Sequence, residues 1–127
     1  MPASQNFVLG KGYDAGAAIT KKRFVKFSAD QTVIQCSVAG EIAHGVSLFD
    51  VSAAEITKGK GASVLTEGRA IVEAATAITI GAKVTTDNQG RAAVAATGNN
   101  VLGICDEPAS GTGAECSVHL GIGGGVV

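Results

Sequence analysis

An all-β fold, a small barrel or sandwich of short strands, is what this sequence predicts, and three observations carry the expectation. Cys116, Val118, Leu120 and Ile122 alternate with Ser117, His119 and Gly121, the period of two of a strand with one buried face. Asp87-Asn88-Gln89-Gly90 follows the β-branched run Val84-Thr85-Thr86 and precedes a returning stretch at 91–94. That is hairpin chemistry, because Asp and Asn bond their own backbone and Gly tolerates positive φ. Finally, 18 Gly, five aromatic residues and no Trp in 127 residues leave only a thin core of small side chains. Such a core suits short strands and tight turns better than a helical bundle.

The elements follow in order. Residues 1–20 show no sustained period and read as an extended N-terminal arm, with residues 21–127 as a single β domain. Phe7 and Tyr13 are the arm's large side chains, placed to anchor it on its own body or on another subunit. Residues 24–27 are apolar enough for a strand, and Ala29-Asp30-Gln31 is a turn. Ile34, Cys36 and Val38 alternate with Gln35 and Ser37 as a second strand, ended by Gly40. Residues 45–49 begin another strand. Ser52-Ala53-Ala54-Glu55 suits a single helical turn, too short to stand alone. A strand at 62–65 is expected to turn at Thr66-Glu67-Gly68 into the central stretch, residues 70–94. There Ile78 and Ile80 flank Thr79 as a strand, Gly81 breaks the run, and the hairpin follows. Val101 to Cys105 is a short strand, Pro108 excludes a continuous strand through 107–111, and the glycine-rich tail at 123–127 is expected to fray.

A faint internal echo is also present. Residues 42–65 and 101–120 each hold a strand with an internal Gly, a loop ending in G-x-G-A (Gly59 to Ala62, Gly111 to Ala114), and a second strand. The spacing reads as about 52 residues with a two-residue slip, which suggests a pseudo-symmetric β-body rather than a solenoid.

Net charge is −1, so no global field attracts nucleic acid. The charge is uneven, however. Residues 1–29 carry Lys11, Lys21, Lys22, Arg23 and Lys26 against Asp14 alone, a balance of +4, and the remainder balances at −5. A basic leading segment on an acidic body is suited to head-to-tail docking. Cys36, Cys105 and Cys116 are odd in number and lack C-x-x-C spacing, so neither a disulfide framework nor a zinc site is indicated. They read as small buried hydrophobes in a chain that folds in a reducing compartment. There is no secretory signal and no apolar run near the ~18 residues of a membrane span, so a soluble chain is expected.

Candidate chemistry is sparse. His119 falls on the polar face of its strand, and His44 lies near Ser47 and Asp50 without a nucleophile elbow. Asp106-Glu107 is the adjacent acidic pair, in an expected loop before Pro108. Gly10-Lys11-Gly12 and Gly59-Lys60-Gly61 lack the strand–loop–helix context of a phosphate cradle. Phe24 and Phe27 beside Lys22, Arg23 and Lys26 are the candidate for base stacking, and read more simply as a strand. No catalytic, cofactor or metal-binding residues are expected.

Three stretches together resemble a known group: the Gly-punctuated arm G-K-G-Y-D-A-G-A-A-I-T-K at 10–21, A-I-T-I-G-A-K-V-T-T-D-N-Q-G-R-A at 77–92, and V-L-G-I-C-D-E-P-A-S-G-T-G-A-E-C-S-V-H-L-G at 101–121. The chain resembles the capsid decoration, or cement, proteins of tailed bacteriophages. The resemblance implies a small β protein, often a homotrimer, that binds the major capsid protein on the outside of a phage head and stabilises the shell. It implies a virion component made in the host cytoplasm, with no catalytic residues, no nucleic acid and no membrane. Multivalent clamping would let a trimer multiply modest contacts. Phe7, Tyr13, Lys21, Lys22 and Arg23 are the expected contacts to a neighbour or the shell, since aromatic and Arg side chains are the usual anchors. Two other readings are a tail or fibre component and a small enzyme pairing Cys105 or Cys116 with a histidine.

Overall fold

The computed structural model describes residues 6–121 and 125–127, with the side chains of 6–11 outside that description. The strands are β1 (Asn6–Ala15), β2 (Phe24–Ala29), β3 (Thr32–Gln35), β4 (Gly45–Ser47), β5 (Ala62–Glu73), β6 (Lys83–Thr86), β7 (Ala92–Val94), β8 (Gly103–Glu107) and β9 (Glu115–Leu120). One short helix, α1 (Ala53–Thr57), sits between β4 and β5. Ser52 caps it in a reciprocal box with Glu55, and Lys60 with that cap holds the Glu55 carboxyl down to about 2. The all-β expectation holds, and so does the helical turn.

The strands close two rings. In the first, β1 pairs with β3 in parallel, then β3 with β2, β2 with β4, β4 with β5, and β5 back with β1. In the second, β5 pairs with β9, β9 with β8, β8 with β6 and β6 with β7, and a parallel bridge between Ala74 and Ala92 closes the circuit. β5 belongs to both. Its residues Ala62 to Leu65 face β1 and β4, and Arg69 to Glu73 face β9. Closure leaves few unpaired strand edges to attract other chains.

The two rings repeat one plan. Val25 pairs with Gln35 and Gly45 in the first; Val84 pairs with Val94 and Gly103 in the second. The Ile19–Val51 bridge recurs as Ile78–Ala109. The Gly16 N–H reaches Val33 O as the Ala75 N–H reaches Ala92 O, and the His44 N–H reaches Val25 O as the Leu102 N–H reaches Val84 O. Correspondence thus runs at 59 residues up to β3 and β7, 58 at β4 and β8, and 54 at β9 (Val64 with Val118). Even left-handed residues match: Lys22 (φ 60) with Gly81 (φ 83), and Gln31 (φ 53) with Gly90 (φ 77). The echo read from sequence holds for its strands and is longer, but its G-x-G-A loops are two residues out of register, Ala62 matching Cys116 and not Ala114. It spans nearly the whole chain, and its spacing is wider than 52.

The cores repeat too. Tyr13, Ala15, Ile19, Val25, Val33, Val51, Ala62 and Val64 fill the first ring. Each has its counterpart in the second cluster: Val72, Ala74, Ile78, Val84, Ala92, Ala109, Cys116 and Val118. That cluster also takes in Phe24, Cys36, Val46 and Leu65. They lie next to inward-facing residues and so point out of the first ring, burying it against the second.

Several expectations are corrected. The 66–68 turn does not form: these residues lie inside β5, which replaces the 70–94 stretch as the organising element. Ile78 and Ile80 do not share a strand face; Ile78 is 1% exposed and Ile80 69%, because Gly81 already turns the chain. The strand read from Ile34, Cys36 and Val38 stops at Gln35, and Val33 is its buried residue. There the Glu41 carboxylate accepts the N–H groups of Ser37 and Val38 and folds the chain away. The Asp106-Glu107 pair ends β8 at a bulge and is not a loop. The described part of the tail is paired, with Val126 bridging to Asn100; residues 1–5 and 122–124, including Pro2, Ser4, Gln5 and Ile122, lie outside the described residues.

Two tests follow from the repeat. A Cβ on Gly45 would stand 2.4 Å from Leu65 O, and one on Gly103 2.5 Å from His119 O. Gly45→Ala and Gly103→Ala should therefore each cost about 1–3 kcal/mol in urea unfolding. Gln31 sits left-handed where its counterpart is Gly90. Gln31→Gly should stabilise by about 0.5 kcal/mol, since relief of ~1–2 kcal/mol of strain outweighs the added chain entropy. Gly90→Ala should destabilise, its Cβ falling 2.9 Å from Phe24 O.

Candidate interaction surface

The five expected contact residues land in different settings. Phe7 lies in β1 opposite Gly68, with its side chain outside the description. Tyr13 belongs to the first ring's core, and its hydroxyl lies 2.7 Å from His44 Nε2. Lys22 pairs with Glu115. Arg23 donates from Nη2 to Glu73 at 3.1 Å and from Nη1 to Gln89 O at 2.9 Å. Lys21 is exposed, and its backbone N–H donates to Asp50 Oδ1.

The uneven charge is thus largely answered inside the chain. Lys22–Glu115 and Arg23–Glu73 join the two halves, and Lys26 Nζ donates to Glu41 Oε1 at 2.7 Å. Burial alone would raise the Glu41 carboxyl, but the Lys26 ammonium and the Val38 and Ser37 N–H groups hold it below its ordinary value. The stretch expected as an arm is likewise built into the body: Tyr13, Ala15 and Ile19 are buried, and β1 closes the first ring.

Sequence reasoning missed the surface beside Tyr13. The Phe27 ring packs 5.5 Å from Tyr13 and 4.2 Å from His44, centre to centre, yet is 48% exposed. With Lys26, Glu41, Ile42 and Ala43, Phe27 and His44 line a shallow depression. Parity points the other way, since Phe27 is an even step from the inward Val25, but the strand bends at the bulge after Phe27. Phe24, by contrast, is fully buried, so the two phenylalanines do not form one stacking platform.

The remaining chemical candidates are distributed as follows. Arg69 is clasped by Asp106 and by Glu107, the latter at 3.0 Å. His119 is exposed on β9, as its position in the alternation implies. Cys105 and Cys116 are buried with their sulfurs 3.3 Å apart. Burial pushes the Cys36 thiol up to about 12, with Glu41 adding to it, and raises Cys105 and Cys116 as well. Among the described residues no three His, Cys, Asp or Glu side chains gather as metal ligands, and no helix is long and apolar enough to cross a membrane.

No curated protein sequence matches the chain. A solved structure does: the head fiber gp8.5 N base of bacteriophage phi29, with a TM-score of 0.68 at 20% identity over 89% of this chain and 93% of that one. At that identity the likeness shows a shared fold. A family model described as phage cement protein matches residues 12–120. With nearly all of both rings inside that match, the chain belongs to the phage cement protein family.

Proposed function

We propose that this virion structural protein sits on the outside of a phage head as a homotrimer and stabilises the shell by binding the major capsid protein. The observation that carries this reading is the closed double ring. Its polar network and its buried thiols are spent on internal cohesion, and large apolar side chains, Phe27, Ile42, Val94 and Ile104 among them, stand exposed on its open faces. Such a body works by shape and copy number. Made in the host cytoplasm, it would meet the shell with its cysteines reduced. Phe7 and Lys21 are the proposed shell contacts from the leading segment. The head-fibre likeness supports a second reading, the base of a head-attached fibre, which imaging of its position on the particle would separate.

Mixing purified protein with undecorated heads should give co-sedimentation and a higher rupture temperature, and Lys21→Glu should weaken both. Heads that sediment and rupture unchanged would remove the cement reading. Deleting residues 2–20 is no test of the arm, because it also removes Tyr13, Ala15 and Ile19 from the first core.

We further propose that the chain is not an enzyme. Thiols raised by burial carry little thiolate, so maleimide labelling of the native protein at pH 7 should run on the order of a hundredfold slower than labelling in denaturant. Rapid labelling of Cys105 or Cys116 alone would revive the Cys/His alternative.

A further inference from the structure

The chain contains one complete contact between its own two repeats, and each side of that contact occurs a second time, left largely open by the described residues apart from the tail strand at Gly98 to Val101. Within the chain, the first repeat grips the second repeat's turn. The Phe24 N–H donates to Gly90 O at 2.7 Å, Gln35 Nε2 to Gln89 O at 2.7 Å, and the Gly40 N–H to Thr86 O at 2.9 Å. Thr85, Thr86 and Gly90 are buried there. The counterparts of Phe24 and Gln35 are Lys83 and Val94, both exposed on the second repeat, while the counterpart of Gly40 is Gly98, whose N–H is taken by Val127 O of the chain's own tail at 2.8 Å. The counterpart of the gripped turn is residues 27–31, exposed throughout on the first repeat.

Burial follows the same rule outside the hydrogen bonds. Val46 is fully buried between the repeats, while its counterpart Ile104 is 41% exposed. Leu102 is fully buried, while its counterpart His44 lies half-buried at the open depression. Large exposed apolar side chains therefore stand on both uncovered faces: Val94 and Ile104 on the gripping side, Phe27 and Ile42 on the gripped side. Charge is complementary as well, with Lys83 on the first and Asp30 on the second.

We propose that copies of this chain join head to tail, the face of one copy that carries Lys83, Val94 and Ile104 seating on the 27–31 turn of the next, as the first repeat seats on the second within one chain. The two sides are different surfaces, so the contact is heterologous and must close into a ring or run on as a filament. The number of copies rests on the trimer reading above: three chains would place six repeats around one axis.

A short bismaleimide applied to the Asp30→Cys/Val94→Cys double variant tests this directly, since the three native cysteines are buried. The expected products are covalent dimers and trimers with nothing larger. Asp30→Cys and Val94→Cys proteins should cross-link when mixed but not singly. Phe27→Asp and Ile104→Asp, both at exposed positions, should each shift the sedimentation coefficient to that of a monomer that still unfolds in a single cooperative transition, at the lower temperature that loss of assembly brings. A wild-type trimer that gives no 30–94 cross-link would overturn the head-to-tail contact and leave the trimer standing. Val94→Cys linking to itself would also overturn it, as an isologous contact. A wild-type monomer at tens of micromolar would overturn both.

Discussion

Ring closure through a shared strand is the constraint on which this structure depends. β5 is twelve residues long and lends one end to each ring. Each ring alone encloses only a handful of side chains, most of them Ala and Val. A unit of roughly 58 residues with so little to bury is marginal on its own. Fusing two rings along β5 lets Phe24, Val46 and Leu65, which point away from the first interior, become core between the rings. Gly68 sits at φ 109 where β5 passes from one ring to the other, a backbone state that suits glycine. The thin core implied by composition is thus sufficient because it is used on both faces of the first ring.

Duplication then explains where the two halves differ. The backbone path is common, so side-chain changes report what each copy must face. Ser47 and Ala62 of the first ring become Cys105 and Cys116 in the second, filling its interior with two thiols in contact. Lys22 stands where the second repeat has Gly81; it accepts a left-handed backbone and its ammonium meets Glu115 across the halves. Exposed ion pairs of this kind contribute little each, and Arg23, more enclosed and bonded to both Glu73 and Gln89 O, is the firmer tie. The basic leading segment and the acidic remainder are in this sense two halves answering each other.

On the proposed reading, a protein built this way works through its surfaces. Its most polar clusters, Arg69 with Asp106 and Glu107 and Lys26 with Glu41, are ion pairs that tie separate segments together. Its nucleophiles are buried thiols. Membership of the cement family fits a body whose work is to occupy a place on a virion, and the faces left uncovered by the internal repeat are where such work would be done.

Local chemistry determined much of this. The period of two at 116–120, the Asp87 to Gly90 turn and the helical turn after Ser52 act over a few residues, so they were legible in the sequence and all three formed. The repeat was legible only where matching glycines meet the same steric demand, at Gly45 and Gly103, which both lie against a neighbouring carbonyl. What only the tertiary structure decided is long-range: that residues 66–68 run straight through β5, that Tyr13 goes inside and Phe27 outside, and that Lys22 and Arg23 are engaged within the chain. Each of these turns on a partner strand or carboxylate tens of residues away, and no local pattern encodes which partner arrives.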